Sequence, residues 1–322
     1  MINENCKHFT GYKPCKFQKE NNAICDDSCE FKEDVSERIL IIKKGAMGEV
    51  IRCTPLLRRL KKKGTHITWI TDYPELLNPD WVDSILKFNY ENCEILKSME
   101  FDTIYNLDKD LISCALSDKI YHDNVYGYYI SRHGKCKSYN NSNNLYLAGI
   151  DDEFMKCNKM HYVEMLFGLC DMKFNEERYI LPKFDNKNIE GIDTTKKTIG
   201  LNTGCSATWA TRKWSFNHWL KLIGLLVKLG YYVILFGGKA EHEKNTRLCI
   251  DFFDKRTVLI TEEDGKFVSP VYYEGIKTIP ETLTLMNKCS VIVTGVTFGL
   301  HIAIGLEKKI VLINNIINKH EF

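Results

Sequence analysis

The sequence predicts an α/β protein: two Rossmann-like domains facing a cleft, preceded by a small N-terminal cysteine-rich metal module. Short apolar runs alternate with helical patterns twice over, across 38–185 and again across 196–322. Between the two series lies a polar stretch, KFDNKNIEGIDTTKK, which reads as a linker. Residues 1–37 carry Cys6, Cys15, Cys25 and Cys29 but too little apolar content to form a core of their own.

In the first series, RILIIK is an apolar run of strand type, GAMGE turns the chain, and 49–63 reads as a helix. Ile51, Leu56, Leu57 and Leu60 mark its inner face, Pro55 falls in its first two turns, and Gly64 ends it. HITWIT and FDTIYNLD follow as strands, the second leading into a helix over 109–118. Residues 121–150, aromatic and Asn-rich, read as a long functional loop or irregular insertion, and 152–170 as helical. In the second series TIGLNTG is a strand with a glycine exit, and SFNHWLKLIGLLVKLG is an amphipathic helix closed by Gly230. YYVILFGG, SVIVTG and KKIVLINN are further strands; AEHEKNTRLCIDFF, IPETLTLMNKC and TFGLHIAIGL are helices.

Composition narrows the function. The 322 residues are 44% apolar and 27% charged, and 44 Lys and Arg nearly balance 42 Asp and Glu. A net charge of +2 gives no reason to expect nucleic acid as partner. No run approaches the roughly 18–20 apolar residues of a membrane span, and the N-terminus lacks an apolar signal segment, so a cytoplasmic location is expected. In a reducing compartment the 13 cysteines are thiols or metal ligands. Nine are scattered singly and read as buried thiols; the other four are the N-terminal cluster.

Ligands of such domains bind beyond the C-terminal ends of the strands. KKGAMGEV lacks the spacing of a dinucleotide fingerprint. NTGCSATWATRKWS supplies Thr203, Ser206, Thr208 and Thr211 with Arg212 and Lys213 directly after a strand. Each residue alone fits an ordinary helix start with exposed charges; as a set they suit a diphosphate. LFGGKAEHE is a second glycine turn feeding a helix, and TGVTFGLHIAIGL a third, with Thr297, Phe298 and Gly299 at the helix start and His301 in its first turn. Glu49, after Gly48, opens a helix; it is either a helix-start acid favoured by the dipole or a group that does chemistry.

The stretches RILIIKKGAMGEVIRCTPLLRRLKK, GLNTGCSATWATRKWSFNHWLKL, FGGKAEHE and VTGVTFGLHIAIGL, in that order, resemble glycosyltransferase family 9, the ADP-heptose:lipopolysaccharide heptosyltransferases. The likeness runs from about residue 38 to the end. Its N-terminal cysteines and the loop LYLAGIDDEFMKCNKMHYVEML are similar to a subgroup of that family with a cysteine-rich start. The resemblance implies a GT-B architecture, an ADP-sugar or related nucleotide-diphosphate donor, inversion at the anomeric carbon, and no catalytic metal. It implies Glu49, where the family usually has Asp, as the base on the acceptor hydroxyl. It implies a donor site from Thr203, Gly204, Ser206, Thr208, Arg212 and Lys213, from Gly238 with Glu241 or Glu243 on the ribose, and from Thr297, Phe298, Gly299 and His301. Val296 stands where the family usually has Asp, and valine cannot accept a hydrogen bond. The chain, ending at NKHEF, reads as truncated relative to the family.

Cys6, Cys15, Cys25 and Cys29 are separated by eight, nine and three residues, unlike a standard zinc finger. Four thiolates among polar residues still suggest one structural zinc or iron, with His8 as a substitute ligand; the alternative is unbound thiols in a flexible tail. Three functions follow as expectations. One is an inverting glycosyltransferase acting on a glycan, lipid-linked saccharide or protein acceptor. Another is a catalytically impaired nucleotide- or glycan-binding partner of an active transferase. The last is a metal-stabilised assembly protein whose cysteine module drives a homo-oligomer.

Overall fold

The computed structural model describes residues 2–139, 143–186, 196–205, 213–254, 262–263, 266–267, 270–273, 275–315 and 317–322. The chain divides into two compact units, Met1–Gly45 with Cys53–Glu177, and Ala46–Arg52 with Arg178–Phe322. Residues 1–37 therefore belong to the first unit, and 178–185, expected in the first domain, belong to the second. The reason for the latter is local: Thr284 Oγ1 donates to the Asp185 carbonyl at 2.6 Å, and Leu181 packs on the helix at Gly305. Most of the expected linker lies outside the described residues.

The first unit opens with helix α1 (Lys16–Asn21) and strand β1 (Glu37–Ile42). Helix α2 (Met47–Cys53) passes through a 3₁₀ turn at Thr54–Leu56 into α3 (Leu57–Leu60), so the single helix expected over 49–63 is broken. Pro55, which has no N–H to give, sits at the break. Then come β2 (Thr65–Thr71), β3 (Ser84–Lys87), α4 (Tyr90–Leu96), β4 (Glu100–Asn106), α5 (Leu111–Ser117), β5 (Tyr121–Ile130), β6 (Cys136–Ser138), α6 (Asn143–Leu147), α7 (Asp152–Cys157) and α8 (Tyr162–Leu169). The sheet order is β3-β2-β1-β4-β5-β6, parallel except for β6.

The stretch expected to be a loop or irregular insertion thus contributes a ten-residue parallel strand and its antiparallel return. Its aromatic residues are strand formers, and Tyr126 stacks on Tyr105 of β4 at 5.2 Å. The helix expected over 152–170 is two helices, because Asn158 folds back to accept from the Met160 N–H and His161 caps α8 through Val163.

The cysteine-rich segment is tied to this unit by main-chain bonds from Lys7 to Glu33 and from Val35 to Asn5, and by Lys7 to Asp83 at 2.7 Å. Asp83 also accepts from the Ile67 N–H and pairs with Lys61. Phe17 stacks on Phe31 at 4.4 Å. Cys6, Cys15, Cys25 and Cys29 all line one cavity together with His8 and Phe17. Among the described residues, however, no three His, Cys, Asp or Glu side chains are placed to share an ion. The donor chemistry suits a soft metal, but the thiols as placed do not form a ligand set.

The second unit holds β7 (Thr198–Asn202), α9 (Phe216–Lys228), β8 (Tyr232–Phe236), α10 (His242–Asp254), the short pair β9 (Glu262–Glu263) and β10 (Lys266–Phe267), then β11 (Val271–Tyr272), α11 (Ile279–Lys288), β12 (Val291–Gly295), α12 (Phe298–Gly305) and β13 (Lys309–Ile313). Its main sheet has the order β11-β8-β7-β12-β13, all parallel. Alternation along β8 serves both faces. Val233 and Leu235 pack with Trp219, Ile223 and Leu248, whereas Tyr232, Ile234 and Phe236 pack with Leu283, Met286 and Ile302. Caps read directly from sequence chemistry: Ser215 accepts from the His218 N–H at the start of α9, and Thr278 with Glu281 boxes the start of α11. No described helix is long and apolar enough to cross a membrane.

Beyond β1 and β4, Lys43 and Asp108 form a buried pair at 2.7 Å, and Asp108 also accepts from the Lys44 N–H. Burial pushes the Asp108 carboxyl up from its ordinary range, against the pull of Lys43. Asp108→Ala takes away that close partner of a desolvated ammonium. It is expected to lower unfolding free energy by about 3–5 kcal/mol, read from urea midpoints.

Candidate functional site

The strand ends of the second unit are joined by side chains of which sequence reading selected Thr203 and Thr297 but not Asn202, Asn245 or Thr294. At the end of β7, Asn202 donates to Thr294 Oγ1 at 2.9 Å and to Thr297 Oγ1 at 2.8 Å, tying β7 to the turn after β12. The next residue, Thr203, is buried; its hydroxyl donates to Asn245 Oδ1 at 2.5 Å, and Asn245 donates in turn to the Phe236 carbonyl at the end of β8. Parallel strands end in main-chain groups that a buried crevice must satisfy, and these amides and hydroxyls do so.

Gly204 follows. A Cβ there would stand 2.7 Å from the Glu241 carboxyl carbon, so the loop and Glu241 come together only because the position is glycine. Glu241 is buried and accepts from the Gly238 N–H at 3.1 Å, while Glu243 is exposed. Lys213 is exposed at the far end of the loop. Thr297, Phe298 and Gly299 form the start of α12, as expected. Ser206, Thr208 and Arg212 lie outside the described residues. The structure thus gathers Thr203, Gly204, Gly238 and Glu241, with Thr297 linked to them through Asn202.

Glu49 was read as part of the first domain, but its segment, Ala46–Arg52, packs within the second unit. Its Oε1 accepts from Arg52 Nη1 at 3.0 Å, and Arg52 is buried, reaching Glu321 at 3.4 Å with the Phe322 ring 5.4 Å away. His301 lies against the same segment: a Cβ on Gly48 would be 2.6 Å from His301 Cδ2. The imidazole is also stacked by Tyr179 and flanked by Phe322. Burial, with a further push from Arg52 and an opposing pull from Glu49, lowers the His301 pKa to about 3, so the ring is neutral. Its Nδ1 has no hydrogen-bond partner among the described residues. Arg52 and Asn202 escaped the sequence reading because their partners Glu321 and Thr297 are far away in the chain. The available signal for Arg52 was its i, i+3 spacing from Glu49.

The family model for glycosyltransferase family 9 (heptosyltransferase) matches residues 93–313, more than half of the chain. The match begins after Glu49 and includes every second-unit strand end described above. Among solved structures, the chain is similar to a glycosyl transferase family 9 protein of Veillonella parvula, with 17% identity, TM-score 0.63, and coverage of 88% of this chain and 82% of that one. It is also similar to E. coli heptosyltransferase WaaC, solved with ADP-2-deoxy-2-fluoro heptose, at 16% identity and TM-score 0.58, covering 88% and 91%. E. coli ADP-heptose lps heptosyltransferase II gives 16% identity and TM-score 0.56, covering 85% and 84%. At these identities the likeness concerns the fold. No curated protein matches the chain.

The buried imidazole makes stability depend on pH with a definite sign. Its folded pKa lies below the unfolded value near 6.5, so the unfolded state takes up the proton first. The stabilisation is present above that value and is lost as pH falls toward about 3. Between pH 7 and 5 the wild type should lose about 2 kcal/mol more than His301→Gln, measured by urea unfolding at both pH values.

Proposed function

Because the chain belongs to glycosyltransferase family 9 and is a glycosyltransferase, we propose that it transfers a heptose-like sugar, with inversion, from a nucleotide-diphosphate donor. An ADP-sugar is favoured, since the similar E. coli WaaC was solved with an ADP-heptose analogue. The acceptor is a hydroxyl of a glycan, lipid-linked saccharide or protein. Glu49 takes the acceptor proton as that oxygen bonds to the anomeric carbon. The bond from this carbon to the diphosphate breaks, and the electron pair leaves with the nucleotide. Lys213 and Arg212, the hydroxyls of Ser206 and Thr208, and the glycine turns at Gly204 and Gly238 receive the departing charge, while Thr203, its hydroxyl spent on Asn245, holds the turn in place. Glu241 or Glu243 serves the ribose; Thr297, Phe298, Gly299 and His301 serve the donor sugar side.

One observation carries this reading. An unbroken line of contacts runs from the Glu49 segment through Gly48 and His301 into α12, then through Thr297 and Asn202 to the Thr203–Gly204 turn. It puts the candidate base and the candidate donor turn in one packed unit.

Thermal unfolding with ADP, UDP, GDP and their sugars tests the donor site. A ligand at 100 times its dissociation constant stabilises by about 2.7 kcal/mol, and the midpoint should rise with one nucleotide family. Glu49→Gln should then lower turnover by about 100-fold or more while leaving that shift in place. Val296, which cannot accept a hydrogen bond from a donor sugar, favours a second reading: a nucleotide-binding partner without turnover. A midpoint shift with no turnover in the wild type would select it.

Cys6, Cys15, Cys25 and Cys29 are proposed to take a structural zinc or iron, supported by their opening onto one cavity. Elemental analysis of the purified chain should find about one metal equivalent for a mononuclear site. Cys25→Ser with Cys29→Ser should abolish it; a metal-free wild type would dismiss the site.

A further inference from the structure

Lys244, the third residue of α10, is in an unusual electrostatic position. Its ammonium is partly buried and donates at 2.6 Å to the Thr203 carbonyl, at the exit of β7. Among the described residues that carbonyl is its one hydrogen-bond partner, and no carboxylate comes within 4.0 Å of it. An ammonium has three N–H donors, so two are left unsatisfied by these residues. Three costs coincide here. The charge is partly desolvated, it lies near the positive end of a helix, and the like charge of Lys213 adds to the cost.

We infer that Lys244 is a further ligand of the donor's diphosphate, reaching it from α10 beside the Thr203–Gly204 turn while Lys213 reaches it from the loop. This rests on the nucleotide-diphosphate reading above and adds to it a residue outside the strand-exit motifs. A diphosphate between the two ammonium groups would satisfy the unused donors and replace repulsion by attraction. Burial is the main cause that pulls the Lys244 pKa down in the free protein; Glu241 opposes it and Lys213 adds to it. That is the pattern of a cation arranged for an anion still to arrive. Glu241 is held on the Gly238 N–H, so it does not close on Lys244 as an ion pair.

The experiment uses the full chain and calorimetric titration with ADP, UDP and GDP, each paired with its nucleoside. The tightest diphosphate and its nucleoside are then compared in wild type, Lys244→Met and Lys244→Gln; glutamine keeps a donor for the Thr203 carbonyl and drops the charge. Loss of a charge-assisted contact predicts diphosphate affinity about 10- to 100-fold weaker in both variants, with nucleoside affinity unchanged. The dependence of diphosphate binding on salt should also become shallower. Diphosphate affinity equal to wild type in Lys244→Gln would overturn the assignment, as would equal losses for diphosphate and nucleoside, which mark a structural role. Failure of the wild type to bind any nucleoside diphosphate would instead remove the functional reading itself, and the assignment with it.

Discussion

The candidate site depends on one steric fact: Gly48 has no Cβ. His301 occupies the space a side chain would take, and the segment carrying Glu49 is thereby packed against α12. The contact also fixes the electrostatics. The imidazole is desolvated enough to stay neutral, and Glu49 pairs with Arg52, which also reaches Glu321. A charged histidine in the same place would add a second positive group next to a candidate base and to a buried guanidinium.

A second layer of the design is polar. Doubly wound sheets gather ligands at strand C-termini, but the same geometry exposes main-chain groups there. In the second unit these are answered by Asn202, Thr203, Asn245, Thr294 and Thr297, which bond to one another and to the Phe236 carbonyl. The glycine-bearing turns at Gly204 and Gly238 meet at Glu241. In the first unit the equivalent ends of β1 and β4 are closed by Lys43 and Asp108. The two units thus solve one problem differently, with neutral hydroxyl–amide networks in one and a buried ion pair in the other.

The N-terminal segment follows another rule. With few apolar residues it cannot fold alone, and it is ordered by main-chain bonds, the Phe17–Phe31 stack and the Lys7–Asp83 pair. These interactions bring four thiols to one cavity without bringing them into ligand contact. Gathering cysteines and coordinating an ion are separable steps, and the second draws its energy from the metal.

The sequence by itself determined the α/β class, the two alternating series, the positions of the glycine turns and the helix caps. Each of these depends on neighbours within a few residues: side-chain period, missing Cβ atoms and hydroxyls beside free N–H groups. It also carried enough ordered motifs to indicate the glycosyltransferase family that matches 93–313. It misread 121–150, where aromatic residues build a strand only because β4 is there to pair with. Only the tertiary structure decided that Glu49 packs with the second unit, that 178–185 does too, that Arg52 reaches Glu321, that Asn202 bonds to Thr297, and that Lys244 reaches the Thr203 carbonyl. Those facts rest on contacts such as these, between residues 41 to 269 positions apart, which no local pattern encodes.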